Sequence, residues 1–315
     1  MSADHRPVPN FFLVGAPKAG TTSLYRYLDQ HPAVYMSPIK EPCFFAPEVV
    51  DFSPRTREYF EAHESEVRAY LEGPMRTKGR GIVLQWDEYL ELFRHVGHET
   101  AVGEASASYL GSLGAPAAIR ARIPDARIIM LLRDPADRLF SHYSASRETG
   151  ATRVSFMDWV DELSAAEATR HPPIGPIWAG RYATHLQRYL QTFPAAQVRA
   201  YLGEDYAPDP GRVLADVFAF LGVDPTWPID TRRRHNVTLV PRWPVLHRML
   251  RPVTAAIRAT APSSVVERAR TWWRVPSRRT ATPAERARAL ELYSGEIRTL
   301  ETLLDRDLSA WLDPR

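Results

Sequence analysis

Hydrophobic positions along the chain gather into short runs separated by turn residues. Apolar stretches at 11–15, 127–132 and 197–202 are each followed by a turn and then by apolar positions at helical spacing. Dense runs of this length mark strands buried on both faces, as in a parallel sheet. Shorter runs predict two more strands at 33–36 and 101–104. Pro135 to Gly150 reads as a helix with proline at its first position and glycine just past its end, and 283–305 reads as a long terminal helix. The alternation predicts an α/β fold, a central parallel sheet flanked by helices. With 315 residues, 44% of them hydrophobic, the chain can bury a large core, and no Pro/Gly/Ser-rich linker divides it. A single domain over residues 1–315 is expected.

Ligands of such sheets bind at the carboxyl ends of the strands. Three polar segments fall at predicted strand ends: Gly15 to Thr22, Glu104 to Ser108, and Arg133 after the 127–132 run, taken as the central strand. The first, FFLVGAPKAGTTSLYRYL at 11–28, runs from an apolar strand through a Gly/Pro/Thr turn into a helix. Helix-opening N–H groups have no intrahelical partner and carry the positive end of the macrodipole, so Gly20, Thr21, Thr22 and Ser23 form an anion site to which Lys18 adds a full charge. The spacing is not the triphosphate loop GxxxxGK[ST], because Thr21 stands where that loop puts its lysine. An ordinary ATPase is therefore not implied. Only three of the 40 basic residues are lysine, and two of these, Lys18 and Lys40, lie in this turn and in the following SPIKEPCFF segment. A compact ammonium suits those places better than a rigid guanidinium fork. Arg133 and Ser141, eight residues apart, put a guanidinium at a strand end and a hydroxyl two turns into the next helix, where both reach one phosphate.

VGAPKAGTTSLYRYL, SPIKEPCFF, VGEASASYL and LLRDPADRLFSHY, in that order, resemble the sulfotransferases that use 3′-phosphoadenosine 5′-phosphosulfate (PAPS), in the branch that holds the heparan sulfate sulfotransferases and many bacterial enzymes. The likeness covers about residues 10 to 240, with a weaker echo in the C-terminal DLSAWL. It implies a P-loop-type fold, a nucleotide-binding core at 10–240 and a helical C-terminal extension at 241–315. It implies sulfuryl transfer from PAPS to a hydroxyl, with release of adenosine 3′,5′-bisphosphate and no metal. Lys18 would face the bridging oxygen and stabilise the leaving phosphate, with Ala19, Gly20, Thr21, Thr22 and Ser23 cradling the 5′-phosphate. Glu41 of the Lys40-Glu41-Pro42 segment would be the general base, with Lys40 beside it in the catalytic set. Arg133 and Ser141 would hold the 3′-phosphate, and nearby Arg138 would share that role or pair with Asp134. Tyr182 of Gly180-Arg181-Tyr182 would lie near adenine, and Arg234 and Arg242 belong to a run that resembles a segment closing over the nucleotide.

Physically, a carboxylate beside the aromatic pair Phe44-Phe45 loses hydration, while the charges of Lys40 and Lys18 favour its ionised form. Other branches use histidine as base, which makes His142 the competitor. Ala105 and Ala107 stand where the heparan sulfate enzymes tend to have lysine and proline, so the acceptor stays open among glycan, lipid and natural product. Residues 46–80 read as an irregular, partly helical insertion that would supply acceptor contacts.

Residues 232 to 288 hold fourteen arginines against Glu267 and Glu285, with Trp243, Trp272 and Trp273 interleaved. Such a stretch faces an anionic acceptor, a membrane surface or plain solvent. Nucleic acid is disfavoured, since no recognition motif accompanies the charge. The polar MSADHRPVPN start lacks a signal-peptide core and no apolar run is long enough to span a bilayer, so a soluble cytoplasmic protein is expected. The single cysteine, Cys43, excludes an intramolecular disulfide. Two rival classes stay open: a P-loop nucleotide kinase, which would need the missing GxxxxGK[ST] loop, and a non-catalytic nucleotide-binding protein, which would need no base at Glu41.

Overall fold

A computed structural model describes residues 6–49, 67–75, 77, 81–169, 175–232, 239–241, 274–276 and 280–314. In chain order the main elements are β1 (Phe11–Gly15), α1 (Thr21–Leu28), β2 (Val34–Met36), α2 (Trp86–Glu91), β3 (Ala101–Ala105), α3 (Ala115–Arg122), β4 (Arg127–Leu132), α4 (Pro135–Thr149), α5 (Phe156–Ala168), α6 (Tyr182–Thr192), β5 (Val198–Leu202), α7 (Gly203–Tyr206), α8 (Pro210–Leu221), the antiparallel pair β6 (Leu239–Pro241) and β7 (Arg274–Pro276), and α9 (Pro283–Leu304).

β1 to β5 form one sheet in the order β2-β3-β1-β4-β5, every neighbouring pair parallel. All residues of β1 and β3 and all but the first of β4 are buried, which requires cover on both faces and explains the dense apolar runs. All five predicted strands form. The run at 197–202 begins one residue late, because Gln197 N–H donates to the Pro194 carbonyl (2.8 Å) and closes a turn before β5. The central strand is β1, with β4 beside it, which corrects the expectation that Arg133 follows the central strand. The phosphate-type turn therefore occupies the middle of the sheet.

Because the sheet is parallel, all five C-terminal ends open on one side. α4 starts with Pro135 under an Asp134 N-cap, whose carboxylate accepts from Ala136 N–H (2.8 Å) and Asp137 N–H (3.1 Å), and it ends at Gly150 in the left-handed region. α9 opens with a reciprocal Thr282/Glu285 capping box and packs on α4, α5 and α6. α1 packs on α8.

Candidate active site

The turn after β1 is shaped by its backbone. Ala16 N–H donates across to the Leu131 carbonyl of β4 (2.7 Å), Ala19 N–H donates back to Ala16 (3.2 Å), and Ser23 N–H donates to Gly20 (2.9 Å). Lys18 and Gly20 both take positive φ, 69° and 104°. At Gly20 that conformation suits a residue without a Cβ. No side chain caps the N-terminus of α1 and its first turn holds no acid, so the positive end of the dipole faces the sheet's C-terminal opening without local neutralisation. Thr21 and Ser23 are buried; Lys18, Gly20 and Thr22 are half-buried, and Ala19 packs inside the turn.

Lys18 sits below its ordinary lysine pKa. Burial is the main cause, with Glu148 on the last turn of α4 pulling it up and the Arg133 charge pushing it down. These interactions bring the β1 turn, the end of β4 and α4 into one electrostatic site. Arg133 lies 3.7 Å from Asp137 across one helical turn, both side chains well exposed. Ser141 is half-buried two turns into α4.

Arg138 is fully buried, donating to the Pro176 carbonyl and lying 3.4 Å from the Tyr293 hydroxyl. The sequence left Arg138 either to share the 3′-phosphate role or to pair with Asp134; Asp134 instead pairs with Arg286 of α9 at 2.6 Å. Tyr182, at the start of α6, is buried with its ring edge-on to Trp311 (6.5 Å), and burial raises its phenol well above the ordinary value in the neighbourhood of Arg138, Tyr293, Asp134 and Arg133.

On the other side of β1, the loop after β2 carries Lys40 and Glu41. Glu41 has φ 71° and its N–H donates to the Ala105 carbonyl at the end of β3 (2.9 Å). Ser37 N–H bonds the Gly103 carbonyl and Glu41 N–H the Ala105 carbonyl, both on the β2 side of β3, so β3 lies between Glu41 and β1 and the Glu41 backbone stands about two strand spacings, roughly 10 Å, from the strand that feeds the turn. Lys40 Nζ donates to Glu41 Oε1 (3.1 Å), with Lys40 buried and Glu41 partly open. Phe44 and Phe45 behind them join Trp86 and Tyr89 in an aromatic cluster with centroids 4.7–6.4 Å apart. Beneath lies Glu104 of β3, wholly buried, its carboxyl oxygens without a hydrogen-bond partner among the described residues. Its pKa is pushed up to about 8, chiefly by burial and further by the Glu41 charge, against the nearby Tyr109 hydroxyl, which lowers it. His142 is half-buried on α4 with its ring 6.2 Å from Trp159 of α5.

Lys18 and Arg133 thus stand at the ends of the adjacent strands β1 and β4, within electrostatic reach of each other, and Glu41 is tied to the end of β3 with Lys40 beside it. Arg234 and Arg242 lie outside the described residues, as do most of the arginine-rich stretch after residue 232 and, within the 46–80 insertion, residues 50–66, 76 and 78–80, Lys78 among them. Sequence reading gave no role to Glu104, Glu148 or Arg286. Glu104 stood inside a quoted segment at a predicted strand end, where a lone carboxylate in an apolar run was the available signal; Arg286, in a run of arginines, gave none.

A strand, a left-handed glycine turn and an uncapped, acid-free helix N-terminus stand together at the C-terminal edge of a P-loop-type parallel sheet. The chain belongs to the sulfotransferase family, which it matches over residues 9–228. It is 31% identical over 227 residues to the human bifunctional heparan sulfate N-deacetylase/N-sulfotransferase 3, and 30% identical over 233 residues to the mouse bifunctional heparan sulfate N-deacetylase/N-sulfotransferase 4. Those matches take in 69% and 71% of this chain but 23% of each relative, so the chain spans about a quarter of their length. The crystal structure of a sulfotransferase from Alicyclobacillus acidocaldarius superposes with a TM-score of 0.69 at 30% identity, covering 98% of this chain and 100% of that one. Among the described residues no helix is long and apolar enough to cross a membrane.

Proposed function

We propose that this enzyme transfers a sulfuryl group from 3′-phosphoadenosine 5′-phosphosulfate to a hydroxyl of a glycan, lipid or natural-product acceptor, leaving adenosine 3′,5′-bisphosphate. The observation that carries this reading is the uncapped, acid-free helix N-terminus behind Lys18 at the centre of the sheet, with Arg133 ending the adjacent strand β4 and the Lys40–Glu41 pair tied to the end of β3 on the other side. The residues suit the donor: Lys18 at the helix mouth and Arg133 at the end of β4 offer one cation to each phosphate of a nucleotide phosphorylated at both ends of its ribose. When bound, the donor supplies an activated sulfuryl group on a phosphosulfate anhydride.

Gly20, Thr21, Thr22 and Ser23, with Ala19 at the turn, hold the 5′-phosphate through backbone N–H and hydroxyl groups. Lys18 places its ammonium where negative charge grows on the departing phosphate, and its lowered pKa makes it a readier proton donor there. Arg133 and Ser141 take the 3′-phosphate, Tyr182 backs the nucleotide, and Arg234 and Arg242 close over it. Glu41 takes the proton from the acceptor, with Lys40 fixing the carboxylate's orientation. Incubating the purified chain with labelled donor and a panel of hydroxyl compounds tests this: label should move to an acceptor with release of the bisphosphate. Label that stays on the donor with every acceptor, while the bisphosphate still binds, would favour a non-catalytic nucleotide-binding protein.

The relatives' names favour a second reading in which an amine accepts the sulfuryl group. A glucosamine-containing glycan in the same panel separates the two by whether label resists nitrous acid, which cleaves at N-sulfated sugars.

A further inference from the structure

The C-terminal helix α9, beyond the stretch matched to the family, reaches into the phosphate end of this site. Arg286 donates from Nη2 to Asp134 Oδ2 (2.6 Å), from Nη1 to Asp137 Oδ1 (3.1 Å), and to the carbonyls of Trp311 (3.1 Å) and Asp313 (2.5 Å). Its side chain is 11% exposed and that of Asp134 is 13% exposed, so this contact is shielded from water. Asp137 also faces Arg133, whose Nη2 lies 3.7 Å from its other oxygen. One carboxylate is shared by two arginines.

The two contacts are unequal. The Arg133–Asp137 pair is open to water and long, the sort of ion pair worth little, whereas Arg286 bridges two carboxylates with short, charge-assisted hydrogen bonds. Without Arg286, Asp137 would keep Arg133 as its ion-pair partner and Asp134 would lose its own, and their combined negative charge would oppose an incoming phosphate. α9 is fixed at two further points on the same side. Tyr293 donates to the Ile177 carbonyl (3.0 Å), and the Glu296 carboxylate accepts from Thr184 N–H (3.1 Å) and Thr184 Oγ1 (2.6 Å) in the first turn of α6.

We propose that Arg286 is a positioning residue for donor binding: it occupies Asp134 and Asp137, so that Arg133 can turn from Asp137 to the 3′-phosphate. This rests on the reading that Arg133 holds that phosphate. The C-terminal helix is then a working part of the nucleotide site, setting how well the enzyme tells a 3′-phosphorylated nucleotide from one without.

Calorimetry on the full chain with adenosine 3′,5′-bisphosphate and with adenosine 5′-monophosphate tests it. Arg133→Ala should weaken the bisphosphate by about tenfold or more and the monophosphate far less. Arg286→Ala should weaken the bisphosphate by roughly three- to tenfold with the monophosphate within about twofold, and adding Asp137→Asn to it should recover at least half of that loss on a logarithmic scale. Asp137→Asn alone, at a half-exposed position that spares the fold, should tighten the bisphosphate by about two- to threefold. A merely structural Arg286 would weaken both ligands alike and would not be rescued by Asp137→Asn. If Arg133→Ala leaves the affinity ratio unchanged, the reading of Arg133 falls and takes the inference with it. If Arg133→Ala changes the ratio but Arg286→Ala does not, the inference alone is overturned. Should Arg286→Ala fail to fold, Asp137→Asn decides: unchanged or weaker bisphosphate binding overturns the proposal.

Discussion

Lys18 owes its setting to a left-handed backbone in a turn pinned on β4, which holds a long, flexible side chain at the mouth of a helix dipole. If its ammonium meets charge that develops only in the transition state, Lys18→Ala should lower kcat by about two to three decades, the equivalent of roughly 3–4 kcal/mol. Donor Kd should move much less. Steady-state rates beside calorimetric Kd values check this, and a variant keeping more than about half of wild-type turnover would rule the role out. Glu41 is the more exposed assignment, because a carboxylate paired with Lys40 is also what a purely structural residue would show. Glu41→Gln keeps the shape and removes the proton acceptor, so kcat should drop by about 10²–10⁴ with bisphosphate affinity nearly unchanged. His142→Ala should stay near wild-type rate, since that ring lies against Trp159. The reverse pattern, an active Glu41→Gln and a folded but dead His142→Ala, would make histidine the base.

At the scale of elements, what could be read from sequence was what local rules control. β1, β3 and β4 announced themselves because a strand covered on both faces has no polar alternation, and α4 because Pro135 and Gly150 mark its ends chemically. The strand order is less legible, since it depends on which crossover helix packs on which face; hence the sequence points to β4 as the central strand while β1 holds that place. The candidate site divides the same way. Lys18, Glu41 and Arg133 sit on local motifs, whereas Arg286 meets Asp134 across 152 residues of chain, and no local pattern encodes that pairing. The fit of α9 to the loop before α6 is similarly non-local. A Cβ on Gly180 would stand 2.7 Å from the ring of Tyr293, which is itself fully buried and has no room to retreat. Gly180→Ala should therefore cost about 1–3 kcal/mol by overpacking, seen as a lower urea midpoint with an unchanged slope. An unaltered midpoint would mean that α9 is not held against this loop as closely as described.

For the whole molecule, two buried titratable groups set opposing pH trends. His185 is pushed down to about 3, first by burial and then by Arg188, which lies 3.0 Å from Nδ1; with that nitrogen accepting, Nε2–H donates to the Trp178 carbonyl (2.8 Å). A depressed folded-state pKa means stability that is complete above the ordinary value of 6.5 and is lost as pH falls from there toward about 3. Glu104 has the opposite sign. Raised from 4.5 to about 8, it contributes fully below 4.5 and progressively less as pH climbs to about 8. Each slope is about 1.4 kcal/mol per pH unit, so between 4.5 and 6.5 they cancel and a plateau results, with stability falling on both sides. From pH 6.5 to 8 the alkaline limb amounts to about 2 kcal/mol, and Glu104→Gln, which cannot ionise, should flatten it and make the acid limb begin near pH 6.5 instead of 4.5. Urea denaturation at half-unit pH steps from 4 to 9 measures this directly. An alkaline limb equally steep in wild type and Glu104→Gln would show that the carboxyl beneath Glu41 is already ionised in the folded enzyme, and that Glu41 lies beside a second negative charge.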